Sequence, residues 1–197
     1  MAVTSTLRDR RRMQTSREIQ RAALSLALQH GHEAVTTEMI AARAGISQRT
    51  FFNYFLNKDA AIVGEAPCFD EDTVAWFRNS SGPLVADLLQ ALRRLLTESD
   101  LDRGTSQLID RLLGTAPELL PIFYGSLKRL RDQIADLAVT RLGEEARHDA
   151  ALLAEAVAHA LADTFRIWAN DDAMPADRIV DVTGAKLAVL RGYLAQV

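Results

Sequence analysis

The sequence predicts an all-α protein of about nine helices, and two observations support this fold class. The 197 residues contain only five Pro and ten Gly, and most of these lie between segments with helical apolar spacing. No alternation of apolar and polar residues is long enough to predict a strand. With 48% hydrophobic and 25% charged residues, the composition is that of a globular chain rather than a disordered or fibrous one.

The N-terminal helices are predicted from their capping residues. Residues 1–14 are polar and basic and are expected to form a flexible arm. The first helix is expected to begin at Thr15, because Thr15 and Glu18 have the spacing of a capping box, and to end at His30 and Gly31. Short helices follow at about 38–44 and 48–55, and another starts near Asp59 and bends or stops around Pro67.

The remaining helices are predicted from apolar periodicity. Thr115 and Glu118 form a second potential capping box, with Pro117 in the first turn of the helix it would begin. Pro121 is expected to kink or restart that helix. The predicted helices cover about residues 83–97, 104–114, 117–142, 144–170 and 176–196.

Several functional classes are disfavoured by what the sequence lacks. The single cysteine, Cys68, excludes an internal disulfide and a zinc site built on several thiolates. The four histidines lack the i, i+4 spacing of a helical metal site, and no phosphate-binding loop or nucleophile elbow is present. We therefore predict no cofactor, no metal site and no enzymatic activity. No apolar stretch approaches a membrane span and no signal peptide is evident, so a cytoplasmic location is expected.

The charge of the chain is unevenly distributed. Residues 1–60 contain nine basic and five acidic side chains, a net charge of +4, whereas residues 61–197 contain 14 basic and 21 acidic ones, a net charge of −7. A basic segment attached to an acidic one favours contact of the basic part with a polyanion. Two ordinary solvated surfaces remain the alternative from charge alone.

Residues 36–55 have the pattern of a helix-turn-helix. Thr37 is a suitable N-cap for the first helix, Gly45 stands where the chain needs a left-handed residue, and Ser47 is a suitable N-cap for the second helix. A turn of three or four residues containing Gly is typical of this motif. An ordinary helical hairpin that binds no nucleic acid is the alternative interpretation of the spacing.

The second helix of the motif has side chains suited to DNA. Phe51 and Phe55, four residues apart, are expected to point inward. Gln48, Arg49 and Asn53 can hydrogen-bond to base edges, since Arg pairs with guanine and Gln or Asn with adenine. We expect further polar contacts with phosphates, which position the protein without reading sequence. The side chains predicted to make them are Thr50, Tyr54 and Lys58.

Residues 15–60 closely resemble the DNA-binding head of the TetR family of bacterial transcriptional regulators. The resemblance covers 46 of the 197 residues and extends over three helices and both turns. It rests on Ile19, Ala22-Ala23, Gly31, Thr36-Thr37, Ile40-Ala41, Ala44-Gly45-Ile46-Ser47, Arg49-Thr50, Tyr54-Phe55 and Asn57-Lys58-Asp59. The implied organisation is a basic flexible arm (1–14), a helix-turn-helix DNA-binding domain (15–60) and a helical ligand-binding and dimerisation domain (61–197).

The resemblance also implies specific contacts with DNA. The side chains that match the family's DNA-contacting positions are Thr37, Gln48, Arg49, Thr50, Phe52, Asn53, Tyr54 and Lys58. At Phe52 the family often has Tyr, so a phosphate hydrogen bond at this position is in doubt, and an apolar or sugar contact is the alternative. The arm contributes Arg8, Arg10, Arg11 and Arg12, which are either a solvated run or a further contact with DNA.

The last two predicted helices are apolar on more than one side. In 144–170, Leu153, Val157 and Trp168 belong to one stripe and Ala154, Ala158 and Phe165 to another. A helix that is apolar almost all round must be buried on two sides. One side is then the core, and the other is most simply a second subunit. We predict a homodimer formed by about 148–169 and 178–195, with a fully buried helix in a monomer as the alternative.

A ligand pocket is less evident from the sequence. Aromatic residues of the C-terminal part can line a cavity, and His159 and Arg166, seven apart on one helix, can orient a polar ligand. Each aromatic residue can equally be plain core, and His159 an interface residue. The candidate pocket residues are Trp76, Phe77, Phe123, Tyr124, His159, Phe165, Arg166 and Trp168. Cys68 is expected to be an inert thiol, and the alternative is a redox sensor, which would require an exposed thiol with a lowered pKa.

The function that the resemblance implies is a ligand-responsive dimeric repressor. It would bind a palindromic operator in double-stranded DNA and be released by a small-molecule effector. The alternatives are an activator, or a helix-turn-helix regulator that acts through a protein partner without a small ligand. The high share of Arg among the basic residues, with only Lys58, Lys128 and Lys186 as lysines, is consistent with a GC-rich bacterial genome.

Overall fold

The computed structural model of the chain describes residues 7–64, 67–99 and 101–196. All regular secondary structure in these ranges is helical, which confirms the predicted fold class. Ten α-helices are present, and short 3₁₀ turns precede α8, α9 and α10. The helices are α1 Leu7–His30, α2 Thr37–Arg43, α3 Gln48–Phe52, α4 Lys58–Val63, α5 Glu71–Asn79, α6 Leu84–Glu98, α7 Arg103–Thr115, α8 Leu120–Leu142, α9 Arg147–Asn170 and α10 Ile179–Leu194.

The chain divides into two compact units, and neither is a continuous stretch of sequence. The first unit combines the residues up to 65 with residues 104–126, and the second combines residues 66–103 with residues 127–197. The predicted head at 15–60 therefore shares a unit with most of α7 and the start of α8.

The first unit has one hydrophobic core, to which α1 to α4 and residues 108–122 contribute. α1 packs on α2 and α4, and α2 packs on α3. Burial of large apolar side chains is the main favourable term that holds three such short helices in place. The largest fully buried side chains of this core are Ile19, Leu24, Ile40, Phe51, Ile62, Leu112 and Leu119.

The prediction that the first helix begins at Thr15 is wrong, because α1 begins at Leu7. Thr15 lies in the helix interior, so the predicted capping box does not form. Arg, Met and Gln are good helix formers, and the Gln14 amide donates to the Glu18 carboxylate at 3.0 Å, one turn along. The part of the predicted flexible arm from residue 7 onward is thus helical, whereas residues 1–6 lie outside the described residues.

The second unit packs α5 on α6, and α10 on both α9 and α6. Its core includes Phe77, Leu88, Ile134, Leu161 and Trp168, all almost inaccessible to solvent. The predicted apolar stripe of α9 is confirmed, since Val157 and Trp168 are buried in this core and Leu153 packs against it. The helices of the second unit are therefore held by the interdigitation of large apolar side chains.

Some predicted helix boundaries differ from those observed. The helix predicted near Asp59 stops early, because Gly64 follows α4 with a φ of +82°. The separate helix α5 was not predicted. The second capping box is also wrong: Thr115 remains in α7, where its hydroxyl donates to the Leu112 carbonyl at 3.2 Å, and the chain restarts as a 3₁₀ turn at Pro117. No helix among the described residues is long and apolar enough to cross a membrane.

Candidate nucleic-acid interface

Helices α2 and α3 and the turn between them have helix-turn-helix geometry. Gly45 adopts a φ of +69°, as the sequence predicts, and the Ile46 amide donates to the Ala41 carbonyl at 3.0 Å across the turn. The Ser47 hydroxyl accepts a hydrogen bond from the Thr50 amide at 3.0 Å, which confirms Ser47 as the N-cap of α3. This turn positions α3 and satisfies the first free backbone donors of the helix.

The N-cap of α2 is Thr36, not Thr37 as predicted. The Thr36 hydroxyl accepts from the Met39 amide at 3.3 Å, and Thr36 has the extended backbone of a capping residue. Thr37 is the first helical residue, and its hydroxyl accepts from the side-chain amide nitrogen of Gln48 at 3.2 Å. Either threonine fits the sequence preference for an N-cap, so the sequence alone does not distinguish them. The extended backbone of the first one, Thr36, identifies it as the cap.

The aromatic residues of α3 and of the turn that follows it separate into inward and outward side chains. Phe51 and Phe55 are buried, as the helical spacing predicts. Phe52 is 51% exposed and packs edge-on against Phe51, with 5.4 Å between ring centroids. The exposed part of the Phe52 ring is available for an apolar contact at this surface.

Gln48 braces α3 against α2. Its side-chain amide nitrogen donates to Glu38 at 2.5 Å as well as to Thr37. The pKa of Glu38 is lowered, first by a hydrogen bond from its own backbone amide and then by those from the Thr36 and Gln48 side chains. The carboxylate therefore stays ionised and remains a strong acceptor for Gln48. This pair joins the N-termini of the two helices.

Arg49 and Asn53 are exposed, on and directly after α3. The helix ends one residue before Asn53, which is its C-cap, so the predicted continuation to residue 55 is wrong. The Asn53 amide donates to the Thr50 carbonyl at 3.1 Å and the Tyr54 amide to the Phe51 carbonyl at 2.9 Å. These bonds span three residues and turn the chain more tightly than an α-helix does. The Thr50 hydroxyl lies 2.8 Å from that of Ser47.

Arg12 connects the N-terminal part of α1 to the end of the motif. Its guanidinium lies 5.2 Å from the centroid of the Tyr54 ring and donates to the Asn53 carbonyl at 3.5 Å. Arg11 and Arg12 are both exposed, whereas the side chains of Arg8 and Arg10 lie outside the described residues. Arg12 belongs to α1, and its contacts with Tyr54 and Asn53 hold its side chain beside the end of α3.

Lys58 has a structural partner in this conformation. Its ammonium donates to the His32 carbonyl at 2.8 Å and to the Glu33 carbonyl at 3.4 Å. These carbonyls follow the end of α1, where the chain turns toward α2. Lys58 thus links the first turn of α4 to the connection between α1 and α2. The predicted contact of Lys58 with phosphate would be a second role beside this structural one.

The candidate pocket residues fall into different environments. Phe123 and Tyr124 belong to the first unit and the other six to the second. Phe77 and Trp168 are core residues, Trp76 and Phe165 are half-buried, and Tyr124, His159 and Arg166 are exposed. Arg166 is paired with Asp163 at 2.8 Å. Cys68 is exposed.

One described cavity of the second unit has none of these residues in its wall. It lies against α5, is lined by Phe69, Glu71, Val74, Ala75 and Arg78, and has a volume of about 310 Å³. Trp168 carries a different indication of a ligand. Its ring is 2% exposed, and its indole N–H has no acceptor among the described residues. A buried donor without an acceptor is costly unless a bound group satisfies it.

Sequence analysis did not identify Arg12, Glu38 or His32 as residues with polar contacts in the first unit. Arg12 was assigned to a flexible arm, and Glu38 carries no signal beyond its place in the first turn of α2. The ring of His32 contacts Asp59 and Glu118, which are 27 and 86 positions away in sequence. Only the three-dimensional structure brings these side chains together.

Comparison with known proteins gives one family and a group of similar structures. Residues 19–62 match the family described as "Bacterial regulatory proteins, tetR family". A putative TetR-family transcriptional regulator from Mesorhizobium loti is 21% identical, with 91% of this chain and 98% of that chain covered and a TM-score of 0.47. FadR of Thermus thermophilus, a TetR-family transcriptional repressor solved with lauroyl-CoA, is 23% identical, with 89% and 92% covered and a TM-score of 0.43. No curated protein matches the sequence.

Proposed function

Starting from the TetR-type DNA-binding domain that residues 19–62 of this chain form, we propose that the protein is a dimeric, ligand-responsive repressor that binds a palindromic operator. The observation that carries the proposal is the presentation of α3. Buried Phe51 and Phe55 fix the helix in the core of the first unit, while Arg49, Phe52 and Asn53 face solvent. A short helix held in this way can enter the major groove with its polar side chains toward the bases.

The side chains of the motif have different roles in this proposal. Arg49 and Asn53 read base edges, since both are exposed and carry the donors suited to guanine and adenine. Gln48 positions α3 through Glu38 and Thr37 with its side-chain NH₂ group, which leaves its side-chain carbonyl oxygen to accept from a base. Phe52 makes an apolar contact with a sugar or a thymine methyl group. Phosphate contacts are assigned to Thr37, Thr50, Tyr54 and Lys58.

The dimer is proposed from the surface of α10. Val189, Leu190, Tyr193 and Leu194 are all exposed, and they fall within the last six residues of one helix. A cluster of large apolar side chains at the surface is typical of an interface. A two-fold dimer would place two copies of α3 on two half-sites of a palindrome.

Response to an effector is proposed from the second unit. Trp168 offers a buried indole N–H to an acceptor atom of a ligand, and the guanidinium of Arg103 lies 4.9 Å from the centroid of its ring. An effector that bears a hydrogen-bond acceptor would satisfy this donor. Its binding would then change the distribution of conformations with high and low affinity for the operator.

Selection of bound fragments from a random DNA pool by the full chain is the experiment that tests the proposal. We expect a palindromic consensus to be enriched. On that consensus, Arg49→Ala and Asn53→Ala each weaken binding by about 1–3 kcal/mol and relax the preference at particular base pairs. Arg78→Ala is the matched control, because Arg78 is an exposed arginine of α5 in the other unit. A pool without enrichment, or an equal effect of Arg49→Ala and Arg78→Ala, would refute the assignment.

A further inference from the structure

His32 is a buried histidine held from one side by a carboxylate. The residue is 9% exposed, and its Nε2 lies 2.7 Å from Oδ1 of Asp59 in the first turn of α4. Asp59 can accept a proton from Nε2, and in the tautomer that carries its single proton there, the lone pair of the ring is on Nδ1.

The other ring nitrogen faces two carboxylates. Nδ1 lies 3.2 Å from Oε1 of Glu118 and 4.0 Å from Oε1 of Glu33. It is inaccessible to solvent and, despite the short distance to Glu118, has no aligned hydrogen bond to any described residue. A lone pair beside carboxylate oxygens is unfavourable, because all of these atoms are electron-rich acceptors. A positive charge between these atoms, either the ring's own second proton or a bound cation, would remove the repulsion, and the missing hydrogen-bond alignment at Nδ1 favours the cation.

The backbone around these side chains is well defined. His32 and Glu33 follow Gly31, which ends α1 with a φ of +82°. The Lys58 ammonium binds the carbonyls of both residues and so fixes the turn. Glu118 lies in the 3₁₀ turn that begins at Pro117. All four segments belong to the first unit, so their backbones are held together, and only the exposed side chain of Glu33 would have to be ordered by the ion.

We propose that His32, Glu33 and Glu118 bind a divalent first-row transition-metal ion, with Asp59 as the carboxylate that orients the histidine. One atom from each of the three ligands lies within 4.8 Å of those of the other two. One imidazole nitrogen with two carboxylate oxygens suits Zn²⁺ and Mn²⁺ better than Mg²⁺, which binds oxygen ligands and keeps most of its water. A carboxylate on the second ring nitrogen is the usual companion of a histidine that binds metal.

The local charge balance favours a cation. Three carboxylates, of Glu33, Asp59 and Glu118, lie around the imidazole of His32. A divalent ion would neutralise two of these negative charges and bind Nδ1. It would also join the turn before α2 to the segment that follows α7, since these parts supply different ligands. This site does not depend on the proposed binding of DNA.

Calorimetric titration of the full, chelator-treated chain with ZnCl₂, MnCl₂ and MgCl₂ is the direct test. We expect one Zn²⁺ per chain at this site, bound at least tenfold more tightly than Mg²⁺, and a rise in the melting temperature on binding. Glu118→Gln should weaken Zn²⁺ binding more than tenfold, and Asp59→Asn about 10- to 100-fold. Glu71→Gln is the control, because Glu71 is an exposed glutamate in the other unit, and it should change nothing.

A second variant tests the histidine and guards against loss of fold. His32→Gln keeps a donor toward Asp59 and removes Nδ1, so it should abolish the site while circular dichroism shows a helical chain. Glu118 is 44% exposed, so Glu118→Gln should leave the fold intact. Absence of Zn²⁺ binding up to millimolar concentration would overturn the proposal. Unchanged affinity in Glu118→Gln and His32→Gln would do the same, since the ion would then be bound elsewhere.

Discussion

At the scale of single residues, Gly45 allows the chain to leave α2 and enter α3. A Cβ atom added at Gly45 meets nothing within 4 Å, so only the backbone conformation resists a side chain. With a φ of +69°, Gly45→Ala is expected to lower the free energy of unfolding by about 1–2 kcal/mol. Urea denaturation followed by circular dichroism measures this difference.

Gly125→Ala is the matched control for this effect. Gly125 lies in the interior of α8, and a Cβ added there also meets nothing within 4 Å. Because its backbone is helical, the same substitution should raise stability by about 0.4–1 kcal/mol. If both substitutions changed the free energy of unfolding equally, the left-handed backbone of Gly45 would not be the cause of the effect.

Arg12 is the second residue whose role can be isolated. Arg12→Ala removes the contact with the Tyr54 ring and the hydrogen bond to the Asn53 carbonyl. We expect a loss of about 0.5–1 kcal/mol of unfolding free energy, the usual strength of an exposed cation–π pair. Arg11→Ala removes the same charge from the same exposed helix and should cost less. A thermal melt of both variants compares them, and a larger effect of Arg11→Ala would contradict the prediction.

At the scale of helices, sequence reasoning succeeds where one local rule decides. Gly45 and Ser47 have the predicted conformations, and Phe51 and Phe55 are buried. It fails where two local rules compete or a distant contact decides. Thr15 satisfies a capping box, yet a run of good helix formers continues α1 past it, and Arg12 gains a partner from the other end of the motif.

Long-range packing explains the remaining differences. Residues 104–126 share the core of the first unit through Leu112 and Leu119, and their helical periodicity does not reveal which partner they bury against. The cluster of His32 with Glu33, Asp59 and Glu118 was not predicted for the same reason. Its members come from separate segments, so no regular spacing along one helix reveals them. The DNA-contacting roles of the motif and the ligand pocket remain predictions.

The packing of α9 on α10 includes an ion pair that can be titrated. Hydrogen bonds from Arg166 and then Lys186 lower the pKa of Asp163 from its ordinary value of 3.8 to about 2. A depressed carboxyl pKa stabilises the fold above the pKa of the unfolded chain, and this contribution is lost as the pH falls from about 4 to about 2. One third of the side chain is exposed, so screening limits the contribution to below about 1 kcal/mol.

Asp163→Asn is therefore expected to lower the unfolding free energy at pH 7 by about 0.5–1 kcal/mol and to matter progressively less toward pH 2. Urea titrations at several pH values measure the difference between variant and wild type. A double-mutant cycle with Lys186→Gln isolates the bond between α9 and α10 from the bond to Arg166 within α9. A difference that stays constant from pH 7 to pH 2 would contradict the titration of Asp163.

At the scale of the whole molecule, the distribution of charge and apolar surface separates two tasks. The basic residues of positions 1–60 accompany the helix-turn-helix, while large exposed apolar side chains gather at the end of α10. In the proposed dimer, residues 61–197 of two chains would associate. The two basic DNA-binding domains would then be linked in one assembly, although their like charges repel each other. Apolar association has to exceed this repulsion, so the assembly should depend on α10 more than on any ion pair.

Leu190→Asp tests this assembly. Leu190 is 43% exposed in the single chain, so a carboxylate there stays hydrated in a monomer but is buried without a partner in the proposed dimer. Light scattering after size-exclusion chromatography should give the mass of two chains for the wild type at micromolar concentration and of one chain for Leu190→Asp, with helicity unchanged. Gln90→Asp, an exposed change on α6, should leave the dimer intact. A wild-type chain that is monomeric, or a Leu190→Asp variant that remains dimeric, would show that this face of α10 does not hold two copies together.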